Sequence, residues 1–164
     1  MKISPCDGDA VRVRLGAQEA DTLASLLADL INALQPGGLD PSDPVYHRLY
    51  PDGYKENTEA AEAFRSMTAS SLQEERLGRA EQCLAGLAEI GTAKRKMDVT
   101  LDAEAAQRWL QVLNDMRLAI GTRIGISEDD ESFDFDPGAP DSMPRAIYAY
   151  LTGVQDALVR ARMG

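Results

Sequence analysis

The sequence predicts a mainly α fold: a compact orthogonal or up-down bundle of five to six helices, with one or two very short β-strands near residues 11–15 and 99–101. Three observations carry this. Apolar residues recur at spacings of three and four through most of the chain. Strict apolar–polar alternation is confined to those two short places. Capping residues and Gly/Pro breakers fall where the helical runs begin and stop. At 164 residues the chain buries roughly two-thirds of its unfolded surface, so one core closes without disulfide or metal. Residues 1–164 are therefore read as a single helical domain.

Taken in order, Asp7-Gly8-Asp9 is a turn, and Val11, Val13 and Leu15 then alternate with Arg12 and Arg14. This is a short strand, read as the second arm of a hairpin. Ala17 to Leu34 is the first helix, with Ala20, Leu23, Leu26, Leu27, Leu30, Ile31 and Leu34 as its stripe; Pro36-Gly37-Gly38 ends it. Asp43 caps a short helix with Pro44 at its first position, turning Val45 and Leu49 inward. Asn57 or Thr58 caps the next, with Ala60, Ala63, Phe64 and Met67 as its inner edge. The polar run Met67-Thr68-Ala69-Ser70-Ser71 is read as an interruption, after which Thr68 caps a new helix ending at Gly91. Leu72, Ala80, Cys83, Leu84, Leu87 and Ile90 line that helix, and Cys83 is expected to be a buried thiol. Glu74, Glu75 and Glu81 form its solvated face. Asp102 caps a long helix from Ala103 to about Ile124, and Ser142-Pro144 restart a final one carrying Ile147, Tyr148, Leu151, Val154, Leu158 and Val159. Between them, Ser127 to Ser142 holds seven acids and no base, an acidic loop or disordered insertion.

A weak internal echo joins the two strand–helix junctions. Val13 to Leu27 aligns without a gap on Val99 to Leu113, matching at Val13/Val99, Leu15/Leu101, Ala17/Ala103, Ala20/Ala106 and Leu27/Leu113. Pairing of the two strands with each other would satisfy backbone groups that each strand alone leaves open.

The formal net charge of −10 counts against nucleic acid, whose phosphates are bound through cationic neutralisation. The one dense basic run, Lys94 to Lys96, reads as a solvated connector. Cys6 and Cys83 are far apart and lack metal-ligand spacing. The first ten residues lack the apolar core of a signal peptide, and no apolar run approaches the ~20 residues that span a bilayer. A reduced, cytoplasmic setting without membrane contact is the expectation.

The stretch Leu113 to Ile126 contains the one anomaly. At about 100 degrees per residue, Ala106, Trp109, Leu113, Met116, Ile120 and Ile124 share one apolar arc, and Arg117 falls at its edge beside Leu110. Asn114 and Gly121 continue that side, whereas Asp115, Thr122 and the rim residue Arg123 face the other way. A partly buried guanidinium without partners is expensive, so Arg117 is expected to meet a carboxylate, helix C-terminal carbonyls, or both. Gly121 leaves room for a neighbouring helix to pass. Asn114, Arg117 and Gly121 thus read as a structural knot between helices, or as the lining of a pocket for an anion or a peptide terminus.

The same stretch, VTLDAEAAQRWLQVLNDMRLAIGTRIGI, strongly resembles an uncharacterised actinobacterial family, number two thousand and seventeen among the domains of unknown function. The opening strand with EADTLASLLADLINAL, the segment YHRLYPDGYKENTEAAEAFRSMT and the helix YAYLTGVQDALV resemble it too, so the likeness covers most of the chain. The resemblance implies a mainly helical fold and marks Asn114, Asp115, Arg117, Gly121, Thr122, Arg123 and Gly125 as pattern positions. It brings no assigned activity or catalytic residue. Members are often encoded near the adaptor of the Clp protease, which by association implies a role in proteolysis or regulation and a partner among the Clp components.

No catalytic set is legible. His47 is alone, without a neighbouring nucleophile, and is read as a surface or interface ring. Phosphate- and dinucleotide-binding glycine motifs are missing, and the acids of Asp129 to Gly138 do not fit a calcium loop. No cofactor, metal or enzymatic activity is expected. The leading expectation is a protein–protein interaction or regulatory module, with Tyr46, Tyr50, Tyr54, Tyr148 and Tyr150, together with Phe64, as aromatic interface candidates. The acidic loop would steer a basic partner. A homodimer fits this reading, since symmetric pairing is common. Two alternatives stay open: a ligand-responsive transcriptional regulator, and a small-molecule enzyme with Arg117 as an anion clamp.

Overall fold

The structure, a computed structural model, describes residues 1–51, 58–91, 95–126 and 137–164. Five helices pack beneath a three-stranded antiparallel sheet. The strands are β1 (Lys2–Pro5), β2 (Val11–Leu15) and β3 (Met97–Leu101); the helices are α1 (Ala17–Leu34), α2 (Pro44–Leu49), α3 (Thr58–Gly91), α4 (Ala103–Arg123) and α5 (Ser142–Met163). The expected bundle is thus found, with one strand beyond the two anticipated. β1 is the first arm of the hairpin, closed by Gly8 at φ 68°. Four residues that include a proline leave too little alternation to announce a strand.

The two echoed strands do pair. β2 lies between β1 and β3, with Val13 opposite Val99 and Arg14 opposite Asp98. Alternation along β2 sends Val11, Val13 and Leu15 into the core and Arg12 and Arg14 to solvent. Buried side chains from β2 and all five helices then merge into one cluster.

Local chemistry sets the helix ends. Glu19 accepts the Gly16 N–H at the start of α1 (2.9 Å). At its far end a side chain on Gly38 would collide with the carbonyls of Asn32 and Ala33, so only glycine lets the chain leave there. Asp43 accepts from Val45 N–H at 2.8 Å, and Asp102 from Ala105 N–H at 2.7 Å, as their positions predict.

The interruption expected at Met67–Ser71 does not occur: α3 runs unbroken for 34 residues, about 50 Å. The stretch holds no proline or glycine, and each Ser or Thr costs less than about 0.7 kcal/mol in a helix. Tertiary contacts outweigh that cost. Ala69 and Leu72 pack on the core, and Gln73 donates to the carbonyl of Leu34 at 2.9 Å, fixing α3 to the end of α1. The expected inner edge also fails. Ala60 and Ala63 are exposed and Met67 is 78% exposed, because the first turns of α3 run beyond the end of α1; the Phe64 side chain lies outside the described residues. On α5, Val159 is 40% exposed and Ala161 takes the buried place next to Leu158. Gly78 and Gly86 lie inside α3, where added Cβ atoms would meet nothing, so neither marks a close approach of another element. Of the basic run, Arg95 and Lys96 are exposed and Lys94 is outside the described residues, as is 127–136 of the acidic loop.

α4 is the axis of the bundle. It touches every other helix as well as β3. Around Val112–Met116 it is enclosed on several sides, and that enclosure decides the site.

Candidate functional site

Arg117 leaves α4 on the side of α5. There Tyr148, Thr152 and Gln155 stand four and three residues apart, one polar stripe on a helix face. The Arg117 Nε donates to Thr152 Oγ1 at 3.0 Å, one terminal nitrogen donates to Gln155 Oε1, and the other reaches the Tyr148 hydroxyl at 3.3 Å. The guanidinium also lies over the Tyr148 ring, 5.2 Å from its centroid. The partners are themselves fixed. Gln155 donates through Nε2 to the Leu110 carbonyl (3.3 Å), so its oxygen faces the arginine, and Thr152 donates to the Tyr148 carbonyl (2.9 Å).

The expectation of a carboxylate or of helix C-terminal carbonyls is therefore overturned. Among the described residues the Arg117 hydrogen bonds all go to neutral side chains. The half-buried cation is solvated by dipoles and an aromatic face, and not neutralised. Three of its five N–H groups are engaged by these contacts.

Gly121 is the crossing point the sequence suggested, although what crosses is a ring. A Cβ at Gly121 would stand 3.1 Å from Tyr148 Cε2. The missing side chain thus allows Tyr148 to lie against α4 and under Arg117. Asn114, one turn before Arg117, is exposed; Thr122 is half-buried and donates to the Leu118 carbonyl at 2.7 Å. Together with Arg48 of α2 and Ile126, these residues line a surface depression of about 200 Å³ that holds no carboxylate among the described residues.

The other sequence candidates separate from this group. Asp115, expected to face away from the core, is 2% exposed. The helical arc assumed one packed side of α4, whereas α3 covers the opposite side as well. Asp115 pairs with Arg76 of α3, and its second oxygen has no hydrogen-bond partner among the described residues. Burial pushes the Asp115 carboxyl above the ordinary carboxylate value, against the pull of Arg76 and Arg79. Arg123 is exposed and bonds Asp43 at 2.6 Å, tying the end of α4 to the start of α2.

The tyrosines divide similarly. Tyr148 belongs to the depression. Tyr50 is 4% exposed and belongs to the core, not to a surface, because the end of α2 turns it inward against Tyr46, 5.0 Å between ring centroids. Tyr46 and Tyr150 are half-buried, and Tyr54 lies outside the described residues. Burial raises the hydroxyls of Tyr50 and Tyr150 above their ordinary value. His47 is exposed, edge-on to Tyr46. Cys83 is buried and its thiol is pushed up to about 12. Among the described residues no group of three His, Cys, Asp or Glu is placed to hold a metal, and no helix is long and apolar enough to cross a membrane.

Sequence reasoning missed Thr152, Gln155, Arg48 and Arg76. The spacing of Tyr148, Thr152 and Gln155 was a usable signal for the first two, since three polar residues on one stripe of an otherwise packed helix ask for a polar partner. Arg76 carried no comparable mark.

Fold and site together define a small α-bundle roofed by a short antiparallel sheet, with an arginine-centred depression between α4, α5 and α2. The chain belongs to the family described as Domain of unknown function (DUF2017), which matches residues 2–162. No curated protein and no solved structure matches it.

Proposed function

We propose that this protein is a non-catalytic regulatory module of the cytoplasm that works by binding a partner protein through the depression around Arg117. One observation carries this reading: a half-buried guanidinium held in place by neutral groups, with two of its five N–H groups left over and no carboxylate among the described residues of the lining. Such a site suits an anionic group brought from outside. A carboxylate added there gains charge-assisted bonds at an already ordered arginine, so little side-chain entropy remains to be lost. The fitting group is a carboxylate side chain or the C-terminus of a partner. The gene neighbourhood that the family resemblance implies, beside the adaptor of the Clp protease, makes components of that proteolytic system the first partners to try. A homodimer contacting through this face is a further form of the same reading.

The test is calorimetric titration of the purified Clp adaptor and protease subunits into the wild-type protein, Arg117→Met and Asn114→Ala. The reading expects saturable binding that Arg117→Met abolishes and Asn114→Ala weakens, with both variants still folded. Binding that ignores both substitutions would remove the depression from the function. The polar lining also accommodates a free small carboxylate or phosphate, which favours a ligand-responsive transcriptional regulator as the second reading. Sequence-selective, salt-dependent DNA binding would promote it.

A further inference from the structure

The outer face of the sheet carries a charge pattern opposite to that of the molecule. Register places Lys2, Arg14 and Asp98 in one row across the three strands, and Ser4, Arg12 and Thr100 in the next. All are exposed except Ser4, which is half-buried, and a depression of about 150 Å³ lies over Lys2, Ser4, Arg12, Arg14 and Asp98. Three cations thus face one carboxylate in a chain of net charge −10. Asp98 is already committed: Arg14 holds it with two bonds of 2.8 and 2.6 Å, and that pairing pulls its carboxyl below the ordinary range.

Lys2 directly opposes Arg14 across the strands, an arrangement that costs stability. Arg12 makes only a long contact to Cys6 Sγ, 3.7 Å. Nothing in the folding of the sheet requires cations at these positions, since the buried alternation is carried by Ile3, Val11, Val13, Leu15, Val99 and Leu101. With a screening length of about 8 Å at physiological salt, a ligand on this face senses these cations, and the acids at its margin, Asp7 and Asp9 of the hairpin turn and Asp102 after β3, more than the acids of the helices.

We propose that this face is a docking surface for an extended, acidic segment of a partner protein. An extended segment laid along the strands matches two rows about 7 Å apart, the spacing of its own alternate side chains, with carboxylates reaching Lys2 and Arg12 while Arg14 stays paired. A long nucleic acid fits less well: it would run beyond the patch onto the acidic remainder, and among the described residues the face has no aromatic ring for base stacking. The proposal is independent of the Arg117 depression, which lies on other elements.

The experiment measures fluorescence anisotropy of a fluorescein-labelled octaglutamate peptide titrated with the full chain. Saturable binding is expected, weakening about tenfold between about 0.05 and 0.3 M salt. The double variant Lys2→Glu/Arg12→Glu should lose at least about tenfold in affinity, and Arg12→Ser, which removes one cation only, about threefold. Both should retain the wild-type circular dichroism, with Tm unchanged in Arg12→Ser and no lower than wild type in the double variant, where Lys2→Glu removes the opposition to Arg14; Arg12→Ser keeps the test informative if the double variant unfolds. Arg117→Met should bind the peptide as wild type, which separates this surface from the function proposed above. Absence of saturable binding, equal binding by Arg12→Ser, or tighter binding of a single-stranded oligonucleotide of matched length would each overturn the proposal.

Discussion

Asp115 and Arg117 are two residues apart on one helix and meet opposite electrostatic fates. Arg117 finds hydroxyl, amide and phenol oxygens on α5, while Asp115 finds a charge on α3. Removing one partner of a buried pair leaves the other charge uncompensated, so Arg76→Met is expected to cost about 3–5 kcal/mol at neutral pH. The double variant Arg76→Met/Asp115→Leu is expected to return to within about 1 kcal/mol of wild type or above it, because replacing the whole pair removes its desolvation cost. Urea denaturation of the three proteins checks this, and an additive double variant would contradict the pairing. The pH dependence has a definite sign. Burial raises the Asp115 carboxyl in the folded state, so the folded chain holds its proton to higher pH than the unfolded chain. That contribution to stability is present below the ordinary carboxylate value and is lost as pH rises through the folded value. In Arg76→Met the window should move upward, and the variant should recover much of its stability in mild acid. Asp43 runs the other way. Its bonds to Arg123 and the Val45 N–H lower its carboxyl, so its contribution is lost as pH falls through the folded value. For Arg117, substitution by Met should lower stability by about 1–3 kcal/mol, and Lys should not restore it, since one ammonium cannot reach Thr152, Gln155 and Tyr148 together.

Helix continuity and glycine placement give sharper tests of the individual elements. If α3 is one helix through Ser70, then Ser70→Pro should cost about 3 kcal/mol or more; a near-neutral effect would mean a natural break at that point. Gly86→Ala and Gly153→Ala should each stabilise by about 0.5–1 kcal/mol in thermal melts, because both sit in helix interiors with open space at Cβ. Gly121→Val should instead destabilise by about 1–3 kcal/mol, because Tyr148 has no room to yield while Arg117 lies on it. Much of the element structure was legible in the sequence for local reasons. Asp43-Pro44 and Asp102 specify their helix starts through backbone hydrogen bonds that need no tertiary knowledge, and the residues of α1 repeat on one buried stripe. What was not legible depends on distant packing. A helical arc cannot know that α4 is covered on two sides, so Asp115 was placed in solvent. It also cannot weigh the Leu34–Gln73 contact that carries α3 through a polar run. The position of Arg117 was readable, but the neutrality of its partners was not.

Taken whole, the molecule separates its charges. The sum is −10, yet cations concentrate on the outer face of the sheet and in the depression beside α4. Net repulsion of this size favours solubility and opposes tight self-association except through a face of opposite sign. A homodimer that uses one of the two cationic faces should therefore set it against an acidic part of the second copy, since the same face against itself repels, and should show salt-dependent sedimentation; a salt-independent dimer would point to an apolar interface such as the groove of about 320 Å³ between α1, α4 and α5. The central claim is narrower: the Arg117 guanidinium is held between α4 and α5 by neutral partners and keeps donors for an external anion. The most direct measurement is the side-chain ¹H–¹⁵N spectrum of the arginines, with Arg117→Lys used for assignment. A separate, slowly exchanging Arg117 Nε signal that shifts saturably on addition of the bound partner is the predicted result. A signal averaged with those of Arg12 and Arg123, and indifferent to the partner, would contradict it.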